Sequence, residues 1–283
     1  MKRTLIASAA FASLLAATSA YAADIPLKAP APVVAVYDWT GLYIGTNLGY
    51  SWGRGSTDGT ATGTQTVVSN LAPTTVTPVS GLLSGRADVN GFIGGGQLGY
   101  NWQQAAWVFG LEGDIQFSNE RGSGAVICSL GATVCPTFTR DYKLDWFGTA
   151  RGRIGYLPAE RILLYATGGL AYGDFSGSAL MTAAGTTALD LGSWSRINVG
   201  WTVGAGVEAA LGSNWSVKFE YLYMDLGNVG GSSATNIITA STVRGVTTTT
   251  NLAYVFNTKF TDNIVRVGLN YKFGGPSAIV ARY

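Results

Sequence analysis

The sequence predicts an all-β protein: an eight-stranded antiparallel up-and-down transmembrane β-barrel with long extracellular loops and short periplasmic turns. Three observations carry this. From Trp39 onward, apolar and aromatic residues alternate with small or polar ones at period two, in eight separate segments. Most segments run 10 to 14 residues, a length that suits tilted membrane strands better than the shorter strands of a soluble sandwich. The connections alternate between long and short in strict order, as they do when one rim of a barrel faces the periplasm and the other faces outward.

The first segment, 39–52, sets Leu42, Ile44, Leu48 and Tyr50 against Gly41, Gly45, Asn47 and Gly49. The second, 91–102, sets Phe92, Leu98, Tyr100 and Trp102 against Gln97, Gly99 and Asn101. In the third, 106–117, Trp107, Phe109, Leu111, Ile115 and Phe117 oppose Glu112, Asp114 and Gln116. In the fourth, 143–156, Leu144, Trp146, Ala150, Ile154 and Tyr156 oppose Thr149, Arg151 and Arg153. The fifth, 162–175, is apolar or small on both faces, so its phase is open. The sixth, 195–211, places Ile197, Val199, Trp201, Val203 and Val207 against Asn198, Thr202 and Glu208. The seventh, 215–226, places Val217, Phe219, Tyr221 and Tyr223 against Lys218 and Glu220. The eighth, 260–273, places Val265, Val267, Leu269, Tyr271 and Phe273 against Arg266, Asn270 and Lys272. Long polar stretches, 53–90, 118–142, 177–194 and 227–259, follow the odd-numbered segments and read as loops. Tight turns at Gln103–Ala105, Leu157–Arg161 and Gly212–Asn214 follow the even ones, which puts both termini at the periplasmic rim.

In hydrocarbon every backbone polar group needs a partner within the protein, so the sheet must close and its apolar face must meet lipid. The polar face then points inward. It carries Glu112, Asp114, Glu208 and Glu220 against Arg151, Arg153, Lys218, Arg266 and Lys272. Buried charges persist only when paired, and eight strands leave a lumen just wide enough for side chains to fill. The near balance therefore predicts a structural ion-pair network, with an ion path as the alternative. Glu112 and Asp114 resemble an acid pair, but Arg151 and Arg153 on the neighbouring strand make a structural role the better reading.

The remaining features bound the function classes. Residues 1–22 form an expected signal peptide: Lys2 and Arg3, an apolar run from Leu5 to Ala17, and small residues at Ala20 and Ala22. Residues 23–38 are a Pro-rich periplasmic linker, 39–274 the barrel and 275–283 a C-terminal tail. Loss of Lys2 and Arg3 leaves 16 basic against 16 acidic residues, so there is no basic excess to suggest a nucleic-acid partner. No later apolar run is long enough for a spanning helix. Cys128 and Cys135, in "CSLGATVC", are a disulfide candidate in an oxidising compartment. The chain has no histidine, so a Ser-His-acid triad is impossible, and no metal or cofactor site is expected. Gly94, Gly96 and Gly99 satisfy a dinucleotide fingerprint, but they lie within a strand, and that motif needs a helix opening at the glycines. The stretch "GGQLGYNW" at 95–102 instead echoes "GTNLGYSW" at 45–52.

Four stretches carry a family resemblance: "DWTGLYIGTNLGYSWG" (38–53), "LDWFGTARGRIGY" (144–156), "GWTVGAGVEAALGSNWSVKFEYLYMDLG" (200–227) and "VRVGLNYKFG" (265–274). The chain resembles the alphaproteobacterial outer-membrane immunogenic proteins, porin-family barrels of the opacity-like and OmpA-like type. The resemblance implies an eight-stranded barrel in a Gram-negative outer membrane. It also implies a mostly structural, antigenic or surface-interaction role, and the missing histidine makes a non-enzymatic protein the expectation. Expected partners are outer-membrane lipid and lipopolysaccharide, the barrel-assembly machinery and a host or surface ligand met by the loops. The assembly signal of such barrels matches Arg266, Gly268, Tyr271 and Phe273; the tail beyond leaves terminal Tyr283 as the competing final aromatic. A small porin or ion channel is the alternative function. Haemin binding, described for some relatives, is a further one; without histidine it would rest on Tyr or Met.

Overall fold

The computed structural model describes residues 37–129, 137–182, 189–229, 237–243 and 245–274. The segment expected as a signal peptide, most of the expected Pro-rich linker, the expected C-terminal tail with Tyr283, and Cys135 lie outside the described residues. The described elements are all strands: β1 (Gly41–Ser69), β2 (Ala72–Gln104), β3 (Trp107–Ser129), β4 (Thr137–Ala159), β5 (Ile162–Thr182), β6 (Leu189–Ala210), β7 (Trp215–Asn228), β8 (Ile237–Val243) and β9 (Val246–Lys272). Each pairs antiparallel with its neighbour in the order β1-β2-β3-β4-β5-β6-β7-β9, and β1 pairs with β9 to close the ring. The ring closes from Tyr43 opposite Lys272 to Ser69 opposite Val246. The short β8 stands outside this ring of eight and pairs only with the far part of β9. The two echoing stretches, 45–52 and 95–102, are direct neighbours, with Gly45 opposite Gln97 and Leu48 opposite Gly94.

The stretches expected as long loops are largely strand. β1 and β2 stay paired from Gly41 opposite Asn101 to Ser69 opposite Ala72, through most of 53–90. The hairpins of β3–β4 and β5–β6 extend in the same way. The pattern hides this because it inverts along the strand. Near the short turns, apolar residues such as Leu48, Phe92, Phe117 and Ile197 are exposed on the outer face, and polar residues are buried. Toward the long hairpins the outer face turns largely to Thr, Ser and charged residues, while Leu83, Val126, Phe138, Leu252, Tyr254 and Phe256 turn inward. A strand that leaves lipid for water must exchange its faces in this way, and a search for one fixed phase ends at the exchange.

Leu144 is the residue where this matters most. It was expected on the lipid face beside Trp146, yet it is fully buried in the interior. A β-bulge between Leu144 and Trp146 shifts the register by one, so two residues on either side of Asp145 face opposite ways. The open phase of the fifth segment is settled by packing: Leu163, Tyr165 and Thr167 are buried, and Leu164 and Leu170 face outward.

The interior is layered. At the short-turn end, Tyr37, Trp39, Val108, Leu163, Tyr165 and Ala210 form an apolar cluster. Charged residues fill the next level. Above them lies a larger apolar layer that includes Leu144, Phe147, Phe175, Leu222, Met224, Phe260 and Ile264. A last apolar layer fills the hairpin extension. The inward face is therefore not polar throughout, as the alternation suggested.

The β2–β3 turn holds one strained residue. Ala105 has φ 53°, the left-handed region where a Cβ crowds the following carbonyl. Ala105→Gly is expected to stabilise the barrel by about 0.5–1 kcal/mol, read as a higher midpoint in urea unfolding at unchanged slope.

Candidate functional site: the charged lumen

The site is built by cross-strand register. Glu112 on β3 lies opposite Arg151 on β4. Glu208 on β6 lies opposite Lys218 on β7, and Glu220 on β7 opposite Arg266 on β9. Period two puts all of them on the inner face, where the small lumen brings distant strands together.

Arg151 Nη2 donates to Glu112 Oε1 at 2.5 Å and to Asp114 Oδ2 at 2.9 Å, while its Nη1 reaches Glu220 Oε1 at 3.1 Å. Arg153 Nη2 donates to Glu208 Oε2 at 2.8 Å. Lys218 Nζ donates to both oxygens of Glu112 at 2.9 Å. Arg266 Nε donates to Glu220 Oε2 at 2.6 Å and its Nη2 to Asp114 Oδ2 at 3.0 Å. Four carboxylates thus meet four cations, and every one is at least nine-tenths buried. Glu112 is the hub, since Arg153 and Arg266 also stand within 3.8 Å and 3.5 Å of it.

Neutral donors complete the set; the sequence pattern placed Thr149 and Asn270 on the polar face but did not single out Tyr43, Tyr165 or Ser216. Tyr43 on β1 donates its hydroxyl to Glu112 Oε2 at 2.7 Å. Tyr165 on β5 donates to Glu220 Oε1 at 3.0 Å, and its ring lies 4.2 Å from the Arg153 guanidinium. Thr149, Ser216 and Asn270 donate to Asp114 and Glu208 at 2.5–2.8 Å. Their signal was legible in principle, because each lies on the inward phase of its strand. Inward glycines make room for the long side chains. A methyl group on Gly49 would overlap the Val265 carbonyl and the Arg266 side chain, and one on Gly99 would overlap the Tyr43 phenol. Of the three fingerprint glycines only Gly99 faces inward; Gly94 and Gly96 lie on the outer face with Phe92 and Leu98.

Lys272 stands apart from the cluster. Its Nζ donates to the carbonyl oxygen of Asp38 and lies 5.1 Å from the Tyr37 ring centroid. Trp39 sits beside it, fully buried, with its backbone N–H on Gln103 Oε1 at 2.8 Å and its indole N–H on the Glu160 carbonyl at 3.3 Å. Tyr37 packs edge-on against Trp39 at 4.8 Å. Burial, aided by the charge of Glu208, pushes the Tyr37 phenol up to about 12, so it stays neutral at physiological pH. Tyr37 and Trp39, which close this mouth, were read only as a linker end and a strand start.

Of the assembly-signal residues, Gly268 faces inward beside Lys218, while Tyr271 and Phe273 lie on the outer face, 5.3 Å apart. The Phe273 N–H still donates to the Leu42 carbonyl at 2.8 Å. Cys128 lies on β3 opposite Leu83, and its candidate partner Cys135 is outside the described residues.

Each carboxylate of the cluster is held by at least one cation, an arrangement that ties together strands distant in sequence. A closed antiparallel ring with an apolar outer belt and ion-paired filling defines a transmembrane β-barrel of the outer-membrane class. The chain belongs to the outer membrane protein beta-barrel domain family, whose model matches residues 8–273. It is 39% identical to a 31 kDa outer-membrane immunogenic protein of Brucella melitensis, over 96% of this chain and all of the relative. It is 38% identical to a 22 kDa outer membrane protein of Rhizobium leguminosarum, over 46% of this chain and 52% of that one. Among solved structures, the attachment invasion locus protein of Yersinia pestis aligns with 78% of this chain and 99% of its own, at 14% identity and a TM-score of 0.28. The protein is an outer-membrane protein of the alphaproteobacterial immunogenic group.

Proposed function

We propose that the chain is a sealed, non-catalytic envelope barrel whose work is done on its outer surface. The observation that carries this reading is the balanced filling of the lumen, four carboxylates on four cations, capped by Trp39 and Tyr37 at one end and by apolar layers toward the other. An ion path needs sites that release what they bind; charges already locked to each other offer none. The long hairpins then face outward as antigenic and ligand-contacting surfaces, with both termini in the periplasm. The apolar belt meets membrane lipid and lipopolysaccharide. Gly268, Tyr271 and Phe273 are the segment offered to the assembly machinery, and a Cys128–Cys135 disulfide would close the end of the β3–β4 hairpin. The immunogenic name of the relatives supports surface display.

Refolded protein in planar bilayers tests the sealed state. The expected record is silent at moderate voltage. Steady unitary openings that survive shortening of the hairpins would establish a channel instead.

A further inference from the structure

We propose that Arg140 forms a binding site for a small inorganic anion of the halide class inside the extended part of the barrel. Arg140 lies on β4, opposite Gly124 on β3 and Ala179 on β5, on the inward face between the two upper apolar layers. It is 5% exposed. The other inward guanidiniums of the barrel, Arg151, Arg153 and Arg266, are each bound to carboxylate. Among the described residues, no carboxylate stands within ion-pair distance of Arg140. The inward acids on the flanking level do not reach Arg140: Glu120 Oε1 accepts from Ser118 and Asp262 from Ser51, and Glu120 Oε2 has no hydrogen-bond partner.

What surrounds Arg140 is a set of donors and arene faces. Its Nη1 donates to Thr258 Oγ1 at 3.3 Å. Its guanidinium carbon lies 4.0 Å from the Phe256 ring centroid and 5.5 Å from that of Trp194. Thr57 Oγ1 is 2.9 Å from both Thr258 Oγ1 and the Tyr142 hydroxyl. Two N–H groups are buried with no acceptor, Arg140 Nε and Trp194 Nε1. A cation held only by one hydroxyl and two ring faces recovers a fraction of what burial of its charge costs. Around Arg140 the inventory is therefore one cation without a carboxylate and two N–H donors without an acceptor. A single bound anion supplies both the missing charge and the missing acceptor. Apolar packing on both sides, from Phe175 and Phe260 below and Phe138 and Tyr254 above, favours an ion that dehydrates easily, such as chloride or bromide, over phosphate.

Two measurements on the refolded full chain decide the matter. Thermal unfolding is compared at equal ionic strength in chloride, phosphate and gluconate, for the wild type and for Arg140→Gln. The wild type is expected to show a saturable rise of about 3–6 °C at tenfold the chloride dissociation constant. Phosphate should give less, and Arg140→Gln should lose the rise. Equal responses in the two proteins, no response in the wild type, or a response to phosphate alone would each overturn the proposal. Bromide-soaked crystals of the wild type cover the case in which the variant fails to fold. An anomalous peak within about 3.5 Å of the Arg140 guanidinium supports the site, and its absence rejects it.

Discussion

Glu112→Gln is expected to lower the unfolding free energy of the barrel by about 3–5 kcal/mol. The carboxylate is the meeting point of Arg151, Lys218 and the Tyr43 hydroxyl, and it is almost wholly buried. The amide keeps the shape but removes the charge. Four cations then share three carboxylates, and the unpaired one has no water to turn to. The penalty comes from the stranded cation more than from the lost contacts, and that distinction can be measured. Adding Lys218→Met to the variant restores an even count, three against three, so the double variant should recover a large part of the loss. Urea unfolding in detergent micelles, scored for both variants and for Lys218→Met alone, gives the coupling. A Glu112→Gln barrel as stable as the wild type would show that the ion pairs do not hold the strands together.

Trp39→Ala is expected to cost about 3–5 kcal/mol, as large-to-small changes at buried aromatic sites do. Trp39 fills the short-turn mouth, donates to the Glu160 carbonyl and packs on Tyr37. Its removal empties the lowest layer and frees the segment before β1. The charged level above is untouched by the change, so the variant should stay electrically silent while it unfolds at lower urea. The pair of readings separates two roles for the residue. Conductance appearing in Trp39→Ala would make Trp39 the gate and the charged level permeable. Unchanged stability would show that the mouth is closed by something else.

The legibility of this fold follows the membrane. Between the short turns and the lipid rim, the alternation of Leu48 and Phe92 with Asn47 and Gln97 is sharp because lipid and lumen impose opposite demands on successive residues. The antiparallel up-and-down sheet is legible there. Beyond the rim, water replaces lipid and the demand reverses. Phe138 and Tyr142 then face inward from a stretch that looks like a polar loop. The bulge beside Leu144 adds a change of phase that no periodicity reveals. The short β8 falls in a Thr-, Ser- and Gly-rich stretch that reads as one long polar loop.

The charged site divides in the same way. The sequence by itself determined which side chains enter the lumen, because strand period two assigns Glu112, Asp114, Arg151, Arg153, Glu208, Lys218, Glu220 and Arg266 to one face whatever the rest of the chain does. It also determined the near balance of their charge. Only the tertiary structure decided who pairs with whom. Ring closure sets residues far apart in sequence across a space one side chain wide, so Lys218 reaches Glu112 and Arg266 reaches Asp114. The same closure sets Lys272 on the N-terminal segment instead of in the cluster, and leaves Arg140 among arenes without an acid. Local pattern fixes the direction of each side chain; the meeting of charges depends on strand stagger and lumen width, which are properties of the closed ring.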